Sequence, residues 1–266
     1  MTVTRVLIPC GGKGTRMQSL TSGKAKELLK VAGIPLVVRV LEECAESGIT
    51  EALVVISPDK TEIVERLSPL AGTPRIPSAI SFAVQEEPRG LADAIRYGRE
   101  FAGRSPLAVA LPDNLFAGAE PGLKQVIDTF AATGKNAVAM VEITTADASR
   151  RGPTSVYAGS LNGDEFVIER IPDKGERGKT FDTGGKRSAF TGVGRYVFHP
   201  EVFEVIDNVE RALADGAELD DVPVMQQLLA AGRLTGRRIQ GRFFDVGLVS
   251  GYVEATAEYG GAASIA

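Results

Sequence analysis

Several groups of residues in this chain have types and spacings that could do chemistry. Cys10-Gly11-Gly12-Lys13-Gly14-Thr15-Arg16-Met17 follows a short apolar run. Glycines without a Cβ let successive backbone N–H groups turn toward one anion, and Lys13 and Arg16 add full positive charge beside them. The combination reads as a phosphate-holding loop, since a plain turn needs one or two glycines and no flanking cations. Lys26, in Lys24-Ala25-Lys26-Glu27-Leu28-Leu29, can curl back to the same phosphates. The alternative is a solvated basic face, and Lys24 and Lys30 are less well placed.

Asp113 and Asp245 both follow apolar runs, Leu107 to Leu111 and Phe243-Phe244. A pair of carboxylates facing a phosphate loop can hold Mg²⁺, a hard cation that shares oxygen ligands with substrate phosphates. Each aspartate taken alone could equally cap a following turn. Gln85, in Gln85-Glu86-Glu87-Pro88-Arg89-Gly90, presents a donor and an acceptor side by side, which suits the edge of a pyrimidine base.

These groups need a frame that brings them to one edge. The pattern predicts strands over residues 4–9, Ala52 to Ile56, Ile80 to Val84, Pro106 to Leu111 and Asn136 to Ile143. Helices are expected over Ile34 to Ser47, Thr61 to Leu67 and from Gly90 onward. This alternation implies an α/β fold with a doubly wound, mixed but mostly parallel sheet and crossover helices on both faces. Loops at the carboxyl ends of its strands then share one edge.

Beyond residue 146 the texture changes. Short strands are expected at Thr154 to Ala158 and Glu165 to Ile168, followed by a polar loop from Asp173 to Arg187. A strand from Val193 to Phe198 resumes the pattern, then helices near Pro200 to Asp207 and Asp221 to Ala231. A final strand over Arg237 to Phe244 and a helix over Ser250 to Tyr259 close the chain. Residues 146–266 read as an insertion and C-terminal portion covering one end of the sheet.

Composition excludes several classes. A net charge of −4 over 266 residues argues against a nucleic-acid binder. An anionic substrate must therefore be met by local cations. Cys10 and Cys44 form neither a metal-ligand spacing nor a disulfide framework, which fits a reducing cytoplasm. His199 is the single histidine, so nucleophilic schemes that need a histidine base are removed. It is expected on the surface at a strand end. The N-terminus lacks a signal-peptide pattern, and no run approaches the roughly 20 apolar residues that span a bilayer.

Together, Gly11 to Met17, Lys26 to Leu29, Val31-Ala32-Gly33-Ile34-Pro35-Leu36, Gln85 to Ala94, Leu111-Pro112-Asp113 and Phe244-Asp245-Val246-Gly247 resemble the sugar-1-phosphate nucleotidylyltransferases. The resemblance runs from the first strand to the last helix with its order intact. It implies a Rossmann-like nucleotidyltransferase fold forming a single domain over 1–266, with a small sugar-binding insertion. Residues 1–145 would bind nucleotide and 146–266 the sugar phosphate.

Position by position, it implies that Cys10, Gly11, Gly12, Gly14 and Thr15 cradle the nucleotide, whose base Gln85 and Gly90 read. Arg16, Lys26 and Asp113 would serve the reacting centre, with Asp113 and Asp245 holding Mg²⁺. Gly152, Glu169, Arg170 and Gly194 would line the sugar-phosphate pocket. The chain departs from the family at Ala25, where proline is usual. It departs again at Glu169-Arg170-Ile171-Pro172, where a Glu-Lys-Pro element normally supplies a lysine to the sugar phosphate. Arginine keeps the charge but brings a planar fork; Arg170 or Lys174 would take that role.

Lys26-Glu27, Gly194-Arg195-Tyr196-Val197, Gly251-Tyr252 and Glu258-Tyr259-Gly260 are similar to bacterial UTP:glucose-1-phosphate uridylyltransferases. Gln85 with Pro88, Gly90-Leu91-Ala92 and Asp113-Asn114 resemble glucose-1-phosphate thymidylyltransferases, and Gly12 to Met17 the N-acetylglucosamine-1-phosphate uridylyltransferases. The resemblance thus implies UTP and glucose 1-phosphate as substrates, with dTTP or another sugar or cyclitol phosphate as alternatives. A nucleic-acid or membrane partner is not expected; the family often forms dimers or tetramers. A sugar-phosphate oxygen would attack the α-phosphorus of the triphosphate and release pyrophosphate. The attacking group is already an anion, so no general base is needed. Two other readings stay open. A dinucleotide-dependent oxidoreductase would need glycine at position 17, where Met17 stands. A noncatalytic nucleotide sensor would keep the fold without turnover.

Overall fold

A computed structural model describes residues 2–12, 14, 17–21, 23–144, 156–173, 188–214 and 216–262. The first half contains β1 (Arg5–Pro9), α1 (Gln18–Thr21), β2 (Lys30–Val31), β3 (Ile34–Pro35), α2 (Leu36–Glu46), β4 (Glu51–Ile56), α3 (Thr61–Leu67) and β5 (Ala79–Val84). It continues through α4 (Leu91–Arg96), α5 (Gly98–Ala102), β6 (Leu107–Ala110), β7 (Asn114–Ala117), α6 (Gly122–Thr133) and β8 (Asn136–Thr144). The second half contains β9 (Val156–Asn162), β10 (Glu165–Arg170), β11 (Ser188–Phe198), α7 (Val202–Ala212), α8 (Asp221–Ala230), β12 (Leu234–Arg238), β13 (Arg242–Asp245) and α9 (Val249–Ala262).

Burial explains the layering. Val6, Leu7 and Ile8 are all fully buried, yet Val6 and Ile8 join one apolar cluster and Leu7 the other. Val54 and Ile56 of β4 likewise separate from Leu53 and Val55. Strands with two apolar faces need helices on both sides. α2, α3, α6 and α9 supply residues to one cluster, and α4, α5, α7 and α8 to the other. In α2 the buried Leu36, Val37, Val40, Leu41 and Cys44 recur at helical spacing and form its inward stripe.

The main sheet has nine strands in the order β5-β4-β1-β6-β11-β8-β12-β10-β9. β5, β4, β1 and β6 are mutually parallel, as are β8 and β12, whereas β11 and β10 run against their neighbours. β9 pairs with both β10 and the start of β11, so β8, β12, β10, β9 and β11 close a ring of pairings. The mixed, mostly parallel sheet with helices on both faces is the expected fold class.

One expected strand is corrected. Arg237 to Phe244 is not continuous: β12 ends at Arg238, and β13 pairs with β7 outside the main sheet. Gly241 makes the break, with φ +119 and its backbone so near β7 that a Cβ would sit 2.6 Å from the Ala117 carbonyl oxygen. The β2–β3 hairpin, β7 and α6 were not anticipated as separate elements, and β11 begins at Ser188 rather than Val193. Thr154 and most of the expected loop, 174–187, lie outside the described residues. Among those described, no helix is long and apolar enough to cross a membrane.

Candidate active site at the carboxyl edge

The chain leaves β1 toward β4 and β5 on one side and returns as β6 on the other. Such a reversal opens a crevice beyond the strand ends. Here it is a cleft of about 510 Å³ lined by Pro9 at the end of β1, Gly11 and Gly12 after it, Gln85 after β5, and Leu111, Pro112 and Asp113 after β6. Lys26, Glu27, Pro88, Gly90 and Leu91 complete much of its wall. A second hollow adjoins it and shares Gly11, Lys26 and Pro88. Six of the expected residues, Gly11, Gly12, Lys26, Gln85, Gly90 and Asp113, therefore meet in one cleft. Thr15, Arg16, Gly152, Lys13 and Lys174 lie outside the described residues.

The glycine loop is held from beneath. The Cys10 N–H donates to the Val55 carbonyl at 2.6 Å, continuing the β1–β4 pairing by one residue. Lys60, just before α3, donates its ammonium to the Cys10 and Gly12 carbonyls, each at 2.7 Å, and to both oxygens of Glu27. Glu27 is 1% exposed and Lys60 8%, so this is a buried clamp joining the loop to the Lys26 turn. The Glu62 carboxylate accepts the Ala25 N–H at 2.7 Å and pins the same turn from α3. Neither Lys60 nor Glu62 was legible as a site residue, because a lysine and a glutamate around a helix start read as surface. Burial pushes the Cys10 thiol well up, with Glu27 adding to the effect, so it stays protonated and contributes through its backbone.

Lys26 crosses the cleft floor. Its stem passes Gly14, where a Cβ would lie 3.4 Å from Lys26 Cγ and Cδ, and its ammonium donates to Asp113 Oδ2 at 2.6 Å. The Asn114 amide donates to Asp113 Oδ1 at 3.0 Å and accepts the Gly194 N–H at 2.9 Å, fixing the carboxylate plane. Gly194 abuts the end of β6 so closely that a Cβ would meet Leu111 Cβ at 2.4 Å. Its role is this close approach.

Arg195, fully buried, grips the Asp113 turn from behind. All five of its N–H donors are used: two on Glu43 Oε1 and Oε2, and the others on the Leu111, Gly194 and Asn114 carbonyls. Glu43 also accepts the Leu123 N–H at 2.8 Å, capping α6. Asp245 is brought to the same corner. It pairs with Asn114 across β7 and β13, and the Val246 N–H donates to the Asp113 carbonyl at 2.9 Å. Asp245 Oδ1 also accepts the Gly247 N–H at 3.1 Å, so it caps its own turn as well.

Gln85, which also lines the cleft, is 4% exposed, and its amide donates to Asp93 Oδ2 at 2.6 Å. Gly90, at φ +117, starts α4. A Cβ there would meet the Leu219 carbonyl oxygen at 2.4 Å, so the turn that forms this wall needs glycine.

Glu169 and Arg170 do not line this cleft. Both are exposed at a bulge near the end of β10, which gives two successive outward residues. Arg170 pairs with Ala158, and the adjacent Tyr157 pairs with Phe190, four residues before Gly194. The ring of pairings thereby carries the end of β10 toward the β6 side of the site. His199 follows β11, as expected, and its Nε2 lies 3.0 Å from the Gly134 carbonyl at the end of α6, away from the cleft.

A family model described as nucleotidyl transferase matches residues 5–261. The chain belongs to that family. A Bacillus subtilis protein provisionally named a UTP–glucose-1-phosphate uridylyltransferase is 30% identical over 272 residues, covering 95% of each chain. Another Bacillus subtilis protein, named a UTP–glucose-1-phosphate uridylyltransferase, is 26% identical over 279 residues, covering 97% of this chain and 91% of its own. The crystal structure of a UDP-glucose pyrophosphorylase complexed with UDP-glucose has a TM-score of 0.82 at 23% identity, covering 97% of this chain and 98% of its own. That likeness establishes a shared fold.

The chain is thus a nucleotidyltransferase by family, which sets aside the oxidoreductase reading. Membership of this family implies a divalent cation. The donor set fits one: Asp113 and Asp245 offer hard oxygen ligands. Among the described residues no cluster of three acidic, histidine or cysteine side chains could hold a metal unaided. A cation here would complete its shell with substrate phosphates and water, as Mg²⁺ commonly does.

Proposed function

We propose that this nucleotidyltransferase joins UTP to glucose 1-phosphate, with Mg²⁺, to form a nucleotide sugar and pyrophosphate. The observation that carries the reading is the meeting of Gly11, Gly12, Lys26, Asp113 and Gln85 around one cleft, where the Lys26 ammonium and the Asp113 carboxylate are paired. The naming of the curated relatives favours UTP and glucose 1-phosphate within that frame.

The glycine loop would hold the phosphates through its N–H groups, and Gln85 would orient the base. Lys26 would move from Asp113 onto the phosphates as they arrive, freeing carboxylate oxygens. Asp113 and Asp245 would hold Mg²⁺, which when bound offsets negative charge on the triphosphate. The two anions are then brought together with the attacking oxygen in line, and no general base is required. Glu169 and Arg170, at the end of β10, would meet the sugar phosphate, with the 146–266 half supplying that side. The arginine fork in place of an ammonium leaves another sugar or a cyclitol phosphate as the competing acceptor.

The test is a matrix of UTP, dTTP, CTP, ATP and GTP against glucose 1-phosphate, other sugar 1-phosphates and a cyclitol phosphate, read by pyrophosphate release. The expected maximum is UTP with glucose 1-phosphate. A maximum at dTTP would move the protein to thymidylyl transfer, and no product from any pyrimidine triphosphate would overturn the proposal.

A further inference from the structure

We propose that Asp93 is a specificity-determining positioning residue: it locks the Gln85 amide so that its oxygen serves the base, selecting uracil and thymine over cytosine. The inference deepens the pyrimidine reading above and rests on it. An amide side chain can present either its oxygen or its NH₂ to a ligand, and the two choices select opposite partners. Uracil and thymine carry a donor N–H at ring position 3, whereas cytosine carries a lone pair there. Which way Gln85 faces therefore decides which base fits.

The surroundings settle the choice. Asp93 is 1% exposed, and its Oδ2 accepts the Gln85 Nε2–H at 2.6 Å. Its other oxygen, Oδ1, is taken by Arg96 at 2.6 Å, and Arg96 is held in turn by Glu210 of α7. Arg89 braces Glu210 from the far side at 3.0 Å. A carboxylate paired to arginine only accepts, so the NH₂ of Gln85 must face Asp93 and the oxygen must face away. Gln85 Oε1 lies on the Gly11 side, 2.8 Å from where a Cβ on that residue would stand, and both residues line the cleft. Among the described residues no donor satisfies Oε1. An oriented, donor-seeking oxygen on the wall of a nucleotide cleft is the complement of a ring N–H.

The same network says what an isosteric change does. In Asp93→Asn, Arg96 claims the side-chain oxygen, which turns the new NH₂ toward Gln85. Gln85 then rotates its oxygen inward and presents NH₂ to the base. A site that reads a hydrogen bond rejects the mismatched partner by roughly 100-fold or more. The wild-type protein should prefer UTP to CTP by at least that factor, measured by calorimetric binding and by kcat/KM for pyrophosphate release. Asp93→Asn should lower the preference about tenfold or more, with UTP losing and CTP gaining, while its thermal melt stays cooperative.

A purely structural Asp93 would weaken both nucleotides alike and leave the ratio unchanged, which would overturn the inference. A second measurement needs no variant: 3-methyluridine triphosphate, which lacks the ring N–H, should bind the wild-type protein at least tenfold more weakly than UTP. Equal binding would overturn the inference even if Asp93→Asn failed to fold. A wild-type protein that binds none of UTP, dTTP and CTP would instead remove the pyrimidine reading itself, and one that prefers CTP would overturn the inference. A wild-type preference for UTP with unchanged selectivity in Asp93→Asn would remove only the role of Asp93.

Discussion

Replacing Arg195 with methionine isolates the device that holds the Asp113 turn. The substitution keeps apolar volume but removes five donors, leaving Glu43 buried without its cation and the Leu111, Gly194 and Asn114 carbonyls without this partner. Breaking a buried pair by removing one member costs about 3–5 kcal/mol. At about 2–4 °C per kcal/mol for a chain of this size, the melting temperature should fall by ~6–20 °C. In the double variant Glu43→Leu/Arg195→Met no charge is stranded, and apolar replacement of a buried pair is often neutral. Because Glu43 also caps Leu123 at 2.8 Å, the double variant should recover only part of the loss, by about 2 kcal/mol or more relative to the single variant. Its turnover should stay depressed by roughly 100-fold, since a shift of about 1 Å in a reacting group costs that much. Calorimetric melting and pyrophosphate release on both variants provide the assay. A single variant that melts within 2 °C or so of wild type, or a double variant that recovers none of the loss, would overturn this reading of Arg195.

Lys60→Met should destabilise the protein by about 3 kcal/mol, because Glu27 would be left buried and uncompensated, and should raise KM for the triphosphate; urea unfolding and steady-state kinetics read the two effects. Lys26→Ala should lower kcat by roughly 100-fold or more while leaving a cooperative unfolding transition, by the same two assays. Burial pushes the Glu210 carboxyl up, but the hydrogen bonds from Arg96 and Arg89 outweigh it and hold the group below its ordinary value. A depressed folded pKa contributes stability above the unfolded value, and that contribution is lost as pH falls through the lower folded value. Glu210→Gln should thus be less stable than wild type by about 0.5 kcal/mol near neutral pH. The two melting temperatures should converge below about pH 4.

Much of the frame was legible because β1, β4 and β6 are short apolar runs with polar loops after them, and buried parallel strands read that way. The loop glycines, Lys26, Asp113 and Gln85 stood out because each follows or faces such a strand end. What sequence could not supply was contact across long separations. Arg195 meets Glu43 across 152 positions, and Lys60 reaches Gly12 across 48. Each of these charged residues looks like solvated surface until folding removes the water. The break at Gly241 was hidden for a different reason: Arg237 to Phe244 is β-prone throughout, and only the approach of Ala117 shows that one glycine divides it between two sheets. Asp93 was visible only as a helix residue, because its partners are set by rotamer and burial.

The glycine loop, Lys26 and Asp113 are proposed to form one reacting centre for nucleotidyl transfer. Pyrophosphate release from UTP and glucose 1-phosphate at saturating Mg²⁺, comparing wild type with Asp113→Ala, tests it most directly. The wild-type protein should turn over measurably, and the variant should lose roughly 1,000-fold or more while still melting cooperatively. Turnover by Asp113→Ala within a few-fold of wild type would contradict it.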